Sequence, residues 1–334
     1  MRILVIACFI LAIFFILPGK VGALTVSPPR WEISGERGQT INGELELFNE
    51  EKEAKTFYSS FEAFEAAGET GAPRFFPATE GLATWIKAPA QITLDPQERK
   101  VVPFSIQIPQ NADPGGHFAA IFWGTSPSQT QEGGQVTIGA KVGVLVLLTV
   151  LGGEVKAGGG LLEFSTTDRQ KTFTYLPITF FYRFQNVDTN RIKPDGEIKI
   201  KNIFGMTSVT LPANKREGNV LPNSIRKFEV IWEGKKSEVP QMAVEKEEKV
   251  GFLETVKKEW SEFHLGPYKA NLRLQYGAKN EEVKASFLFF IIPWQLLIII
   301  LIVLILVLIV GGIGIKKYNR WIITKALKGK RVSE

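Results

Sequence analysis

The sequence predicts an all-β protein: two tandem Ig-like β-sandwiches followed by one C-terminal transmembrane helix. Three observations carry this. Apolar residues alternate with polar ones over many short segments, the mark of half-buried strands. A glycine-rich break, Gly152-Gly153 and Gly158-Gly159-Gly160, divides those segments into two sets. Near the C-terminus, residues 287–315 are almost wholly apolar, longer than the ~20 residues a helix needs to cross a bilayer.

The N-terminal MRILVIACFILAIFFILPGKVGA has an early Arg2, an apolar run and small residues at Val21 and Ala23. Residues 1–23 read as a cleaved secretory signal, with an uncleaved signal anchor as the alternative. Val5-Ile6-Ala7-Cys8 looks like a lipoprotein box, but too few apolar residues precede it. Cys8 is the only cysteine. Its loss with the signal leaves the mature chain without disulfides or a cysteine nucleophile. Two domains of this size can stand on their cores alone.

The first sandwich is predicted over 24–152. Ile41, Leu45 and Leu47 alternate with Glu44 and Glu46. Val102, Phe104, Ile106 and Ile108 form a second row, and Phe118, Ala120 and Phe122 are read as one face of the next strand. Val142, Val144, Val146, Leu148 and Val150 read as the final core strand. Residues 153–160 are read as a linker. The second sandwich, 161–286, shows Phe228, Val230 and Trp232 on one face, and Tyr268, Ala270, Leu272, Leu274 and Tyr276 on another. Val256, Trp260 and Phe263 fall at helical spacing, which predicts an inserted helix near 247–263. Such a helix would cap the sandwich end or dock a partner.

The predicted span is 287–315, with Trp294 at one end and Lys316-Lys317 at the other. The tail, 316–334, carries Lys316, Lys317, Arg320, Lys325, Lys328, Lys330 and Arg331 against Glu334 alone. A basic flank stays in the cytoplasm. The expected topology is therefore a single-pass cell-membrane protein with residues 24–286 extracellular. The tail is a plain stop-transfer flank, or lies along the inner leaflet through Trp321, Ile322, Ile323 and Leu327. The net charge of +6 comes from this tail, so it gives no ground for nucleic-acid binding.

DPGGHFAAIFWG (113–124) and LGPYKANLRLQYG (265–277) share a plan: a Pro/Gly turn, an aromatic residue, an alternating strand and a closing Gly. Repetition favours architecture over chemistry, and no helix pattern follows the glycines as a phosphate loop would need. Phe118 and Tyr268 are the candidate corner residues, by analogy with the tyrosine corner. His117 and His264 belong to no metal-spaced cluster. No G-x-S-x-G elbow occurs. The expectation is a binding protein without enzyme activity, metal or small-molecule cofactor. Trp31, Trp85 and Trp123 are the candidate ligand-binding residues, because aromatic faces beside polar groups bind sugars and proteins. The competing reading is that each fills the core or its ends.

The order of features resembles the WxL-interacting protein family of bacterial surface proteins. The likeness of the first domain lies in LTVSPPRWEI, GELELFNEE, ITLDPQERKVVPFSIQIPQNADPGGHFAAIFWG and the Val-rich strand. That of the second lies in YRFQNVDTNRIKPDGEIKIKNIFG, VLPNSIRKFEVIW and GPYKANLRLQYG. The resemblance implies a peptidoglycan-binding domain, then a host-binding domain, on a membrane-tethered adhesion protein. Its partners would be cell-wall peptidoglycan or a surface protein, with the bilayer holding 287–315. The alternative is a membrane-tethered Ig-like assembly chaperone for surface or fibre subunits, which offers a strand edge to its client.

Overall fold

The computed structural model describes residues 24–126, 140–152, 158–234, 251–277 and 279–330. The predicted signal, 1–23, lies outside them. The chain divides into two compact units. One is Met1–Lys156 with Val187–Arg191 and Leu221–Ser224; the other is Ala157–Asn186, Ile192–Val220 and Ile225–Glu334. Each is built on an Ig-like sandwich.

In the first unit the chain runs β1 (Leu24–Ser27), β2 (Arg30–Gly35), β3 (Thr40–Asn49), β4 (Lys55–Ala67) and β5 (Ala72–Phe76). A one-turn helix α1 (Leu82–Trp85) follows, then β6 (Ile86–Lys87), β7 (Gln91–Leu94), β8 (Arg99–Gln107), β9 (Gly115–Gly124) and β10 (Lys141–Val150). One sheet has the order β1-β3-β8-β6; the other has β2-β10-β9-β4-β5, with β7 on β4. Pro28-Pro29 explains why the first strand changes sheets. Proline donates no ladder hydrogen bond, so the strand breaks there. β1 pairs antiparallel with β3, and β2 continues parallel to β10. Leu45, Leu47, Val102, Phe104 and Ile106 meet Ala119, Ile121, Trp123, Val144, Val146 and Leu148 in the core.

Phe118 differs from the expectation. The inward row of β9 is Ala119, Ile121 and Trp123. Phe118 and Phe122 occupy the other face, where Phe118 meets Phe64 at 5.8 Å and Phe122 meets Phe75 at 4.9 Å. Phe118 therefore anchors no corner. Both rows of FAAIFWG are apolar, so alternation alone does not say which row turns inward. The glycine pair does supply a turn geometry, since Gly115 has φ 122°.

The second unit contains β11 (Gly159–Thr166), β12 (Thr172–Phe173), β13 (Ile178–Asn186), β14 (Asp195–Asn202), β15 (Thr207–Pro212) and β16 (Ser224–Trp232). Then come α2 (Phe252–Ser261), β17 (Gly266–Tyr276), β18 (Glu281–Ile291) and α3 (Trp294–Lys330). The sheets are β11-β13-β16 and β12-β18-β17-β14-β15. The first sandwich's plan recurs: β12 runs parallel to the last strand, β18. Tyr268, the other candidate corner residue, is buried and stacks on Phe289 at 5.8 Å.

Three boundaries move. Gly159 and Gly160 belong to β11, paired with Asn186 and Gln185, and not to a linker. The helix α2 is Phe252–Ser261, shorter than the expected 247–263, with the described Gly251, Glu262 and Phe263 outside it. The long helix starts at Trp294, not at 287, because residues 287–291 finish β18. Phe289 and Ile291 sit in the core while Leu288 and Phe290 face out, so the apolar run opens as a strand. Trp294–Ile323 is long and apolar enough to cross a membrane.

Tyr182 lies at the centre of the second core. It stacks on Phe228 at 4.8 Å, and its hydroxyl donates to the Ala213 carbonyl at 3.3 Å. Burial pushes its phenol far above the usual tyrosine range. Burial raises Tyr268 and Tyr276 as well. The fold thus favours the neutral phenol. That stabilisation is complete below the unfolded tyrosine pKa of ~10 and is lost as pH rises past it. Urea unfolding is expected to give a free energy independent of these groups up to about pH 9, falling above pH ~10. Tyr182→Phe is expected to flatten the alkaline fall while costing about 1 kcal/mol at neutral pH for the lost hydrogen bond.

Candidate binding site on the first sandwich

β10 is ten residues long and β2 only six. β9 pairs with β10 along all of Lys141–Val150, whereas β2 covers Leu145–Val150 alone. Among the described residues, Lys141–Val144 therefore has one unpaired side. The Leu145 N–H donates to the Pro29 carbonyl on the β2 side at 3.1 Å. Backbone groups alternate sides along a strand, so the N–H and C=O of Lys141 and Gly143 face the open side. Two donors and two acceptors are on offer there.

The side chains agree with the backbone. Val142 continues the inward row of Val144, Val146 and Leu148, all fully buried, yet it is 38% exposed itself. The apolar row outlasts the strand that covers it. Lys141 is held away from the edge by Glu62 and by the Phe122 ring, 4.2 Å from its Nζ. An extended segment laid along Lys141–Val144 would pair its backbone and place alternate side chains over Val142.

Trp31 pairs with Val146, two positions from the open stretch. Its ring stands edge-on to Phe104 at 4.9 Å. Gly43 makes room for it: a Cβ there would lie 2.5 Å from the Trp31 ring. Trp31, Asn42, Glu44, Lys87, Phe104 and Ser105 line an open groove of 720 Å³. An amide, a carboxylate, an ammonium and a hydroxyl thus surround an aromatic pair.

The other two candidate tryptophans lie elsewhere. Trp85 ends α1 and tilts against the His117 ring at 4.8 Å. His117 Nε2 lies 2.8 Å from the Asp113 carbonyl oxygen. Trp123 is 0% exposed and presents no face to a ligand. It stands on the inward row of β9, and its Nε1 has no hydrogen-bond partner. The open edge of β10 is not legible in the sequence, because a strand's partner is not written in its own residues. The one signal is length: SPPRWEISG is too short to cover the whole Val-rich strand. Among the described residues, no group of three or more His, Cys, Asp or Glu is placed to hold a metal ion.

No family model and no curated protein matches the chain. Solved structures with a similar chain course include the class 5 fimbriae chaperone CfaA, at 9% identity and TM-score 0.34, covering 80% of this chain and 99% of that one. The E. coli chaperone DraB aligns at 10% identity and TM-score 0.33, covering 81% of this chain and 97% of that one. The Pseudomonas aeruginosa CupB2 chaperone aligns at 8% identity and TM-score 0.33, covering 78% and 98%. Superpositions this weak carry no argument about function, which is read from the chain's own geometry.

Proposed function

We propose that this chain is a membrane-anchored binding protein that holds a protein partner by strand addition at the open half of β10. The observation that carries the proposal is the Lys141–Val144 edge, with outward backbone groups and an uncovered valine in the core row. Exposed edges are ordinarily covered or blunted with charge. Here the one charge, Lys141, is tied back to Glu62. The edge favours a tethered assembly chaperone for surface or fibre subunits over a wall scaffold, because such chaperones hold clients by pairing strands. α3 and its basic flank support the topology: residues 24–286 outside, the tail in the cytoplasm, the span in the cell membrane. Its role is binding and not catalysis.

A photo-crosslinking residue at Val142 is expected to capture a surface protein in intact cells, and one at Val101, on β8, is not. Lys141→Pro removes an outward N–H at the first residue of β10, where a proline is tolerated in a strand, and is expected to cut the yield about tenfold. Equal capture from both positions, or none from Val142, would reject the strand-addition reading.

A second reading is favoured by the groove beside Trp31. Its aromatic pair and four polar side chains suit a glycan, in keeping with the resemblance to the WxL-interacting proteins and with peptidoglycan as ligand. In that case the ectodomain co-sediments with sacculi, and Trp31→Ala weakens the binding about tenfold. Sedimentation unchanged by Trp31→Ala would remove the groove from consideration.

A further inference from the structure

The helix α2 buries a carboxylate and exposes apolar side chains, the reverse of the usual arrangement. Glu259 is 1% exposed, whereas Leu253 is 77% and Trp260 69% exposed. The buried carboxylate has a specific partner. Its Oε2 accepts the Leu296 backbone N–H at 2.6 Å, in the first turn of α3. A carboxylate at a helix N-terminus satisfies a free N–H and opposes the helix dipole. α2 is thereby latched to the start of the long apolar helix. Below the latch, Leu253, Val256 and Trp260 face Ile299, Ile300 and Val303 across an apolar groove. Val303 lies about 13 Å along α3 from Trp294, at 1.5 Å per residue.

We infer that α2 is a membrane-interface helix, lying in the outer leaflet against the first turns of α3 and seating the second sandwich on the lipid. The inference rests on α3 crossing the bilayer. If it does, any element packed beside Ile299–Val303 is at lipid depth, and water is not its solvent. The exposed apolar side chains follow from this. Phe252, Leu253, Trp260 and Phe263 would be a poor surface in water, and Trp294 at the head of α3 is exposed as well. In the interface they are the expected composition, with tryptophan at headgroup level. Lys257 flanks the groove, and Lys258 sits 5.8 Å from the Tyr175 ring, so cations are available to headgroup phosphates. The lipid would fill the groove between the two helices.

The test uses the mature chain in vesicles of phosphatidylcholine and phosphatidylglycerol. Cys8 is the only cysteine and lies in the predicted signal, so Leu253→Cys, Trp260→Cys, Leu304→Cys and Lys52→Cys each give one site for a nitroxide label. The label at 304 reports the span and the label at 52 reports water. The expected result is that labels at 253 and 260 collide more with oxygen than with an aqueous nickel chelate, as at 304 and opposite to 52. Nickel-accessible labels at 253 and 260, with 304 still in lipid, would overturn the interface helix and leave the anchor standing. Labels at 253 and 260 shielded from both probes would mean protein covers the face, which also overturns it. A nickel-accessible label at 304 would remove the anchor, and the interface helix with it. Leu253 is the decisive site, since its side chain is outside the core and its replacement leaves the fold intact.

Discussion

Trp123→Ala is expected to lower the unfolding free energy of the first sandwich by about 3–5 kcal/mol. The indole is the largest fully buried side chain among the described residues and stands on the inward row of β9 with Ala119 and Ile121. Its removal leaves a void that the β-strands, fixed by their ladders, fill only in part. Trp123→Phe sharpens the expectation. The Nε1–H is buried without a partner, so an aromatic ring without that donor drops a desolvation cost while losing some volume. The phenylalanine variant is therefore expected to lose about 1–2 kcal/mol, well short of the alanine variant. Urea unfolding, with hydrogen exchange on the β9 and β10 peptides to localise the loss, checks both. Undiminished stability with lost partner binding would show that Trp123 serves a ligand and not the core.

Gly196→Ala is the second large effect, in the other sandwich. Gly196 has φ 153°, and a Cβ there would stand 2.0 Å from the Arg273 carbonyl oxygen on β17. That obstacle is backbone, which a flexible side chain's rearrangement cannot relieve. β14 pairs with β17 from Asp195 to Asn202, with Gly196 opposite Leu274. The alanine must push these strands apart or twist β14 into a rarer conformation, at a cost of about 3 kcal/mol or more. Hydrogen exchange should accelerate at β14 and β17 first. An alanine variant as stable as the parent would mean that the turn into β14 adapts freely.

How the sequence maps onto these features depends on what each signal can distinguish. Alternation locates the strands, because a half-buried strand must separate its two faces. It predicts the inward rows Tyr268–Leu274 and Val102–Ile108, where the other face is polar. It groups Phe118 with Phe122 on one face but does not say which face turns inward, since both are apolar. It also runs the predicted span back to 287, since Phe287–Ile291 are apolar on both faces as the end of β18, next to the apolar helix. Among the ligand candidates, Trp31 lines a groove, Trp85 packs on His117, and Trp123 is core. Nothing in a tryptophan's neighbours in sequence separates these three fates. The edge at Lys141–Val144 is hidden for a different reason: it is defined by a parallel strand that begins too late, at Arg30, about a hundred positions upstream.

The parallel pairing of the second strand with the last sets the order in which each sandwich can finish. Residues 30–35 wait for 145–150, and residues 172–173 wait for 290–291. Non-local pairings of this kind form late, and an unfilled place in a sheet stays open until they do. In the second sandwich the awaited strand is followed within two residues, Ile292 and Pro293, by the long apolar helix. There is no slack between closing the domain and placing that helix. If the chain is exported N-terminus first and α3 is its anchor, as proposed above, the last sheet closes only as that helix arrives, so maturation of the ectodomain and arrest in the membrane become one event.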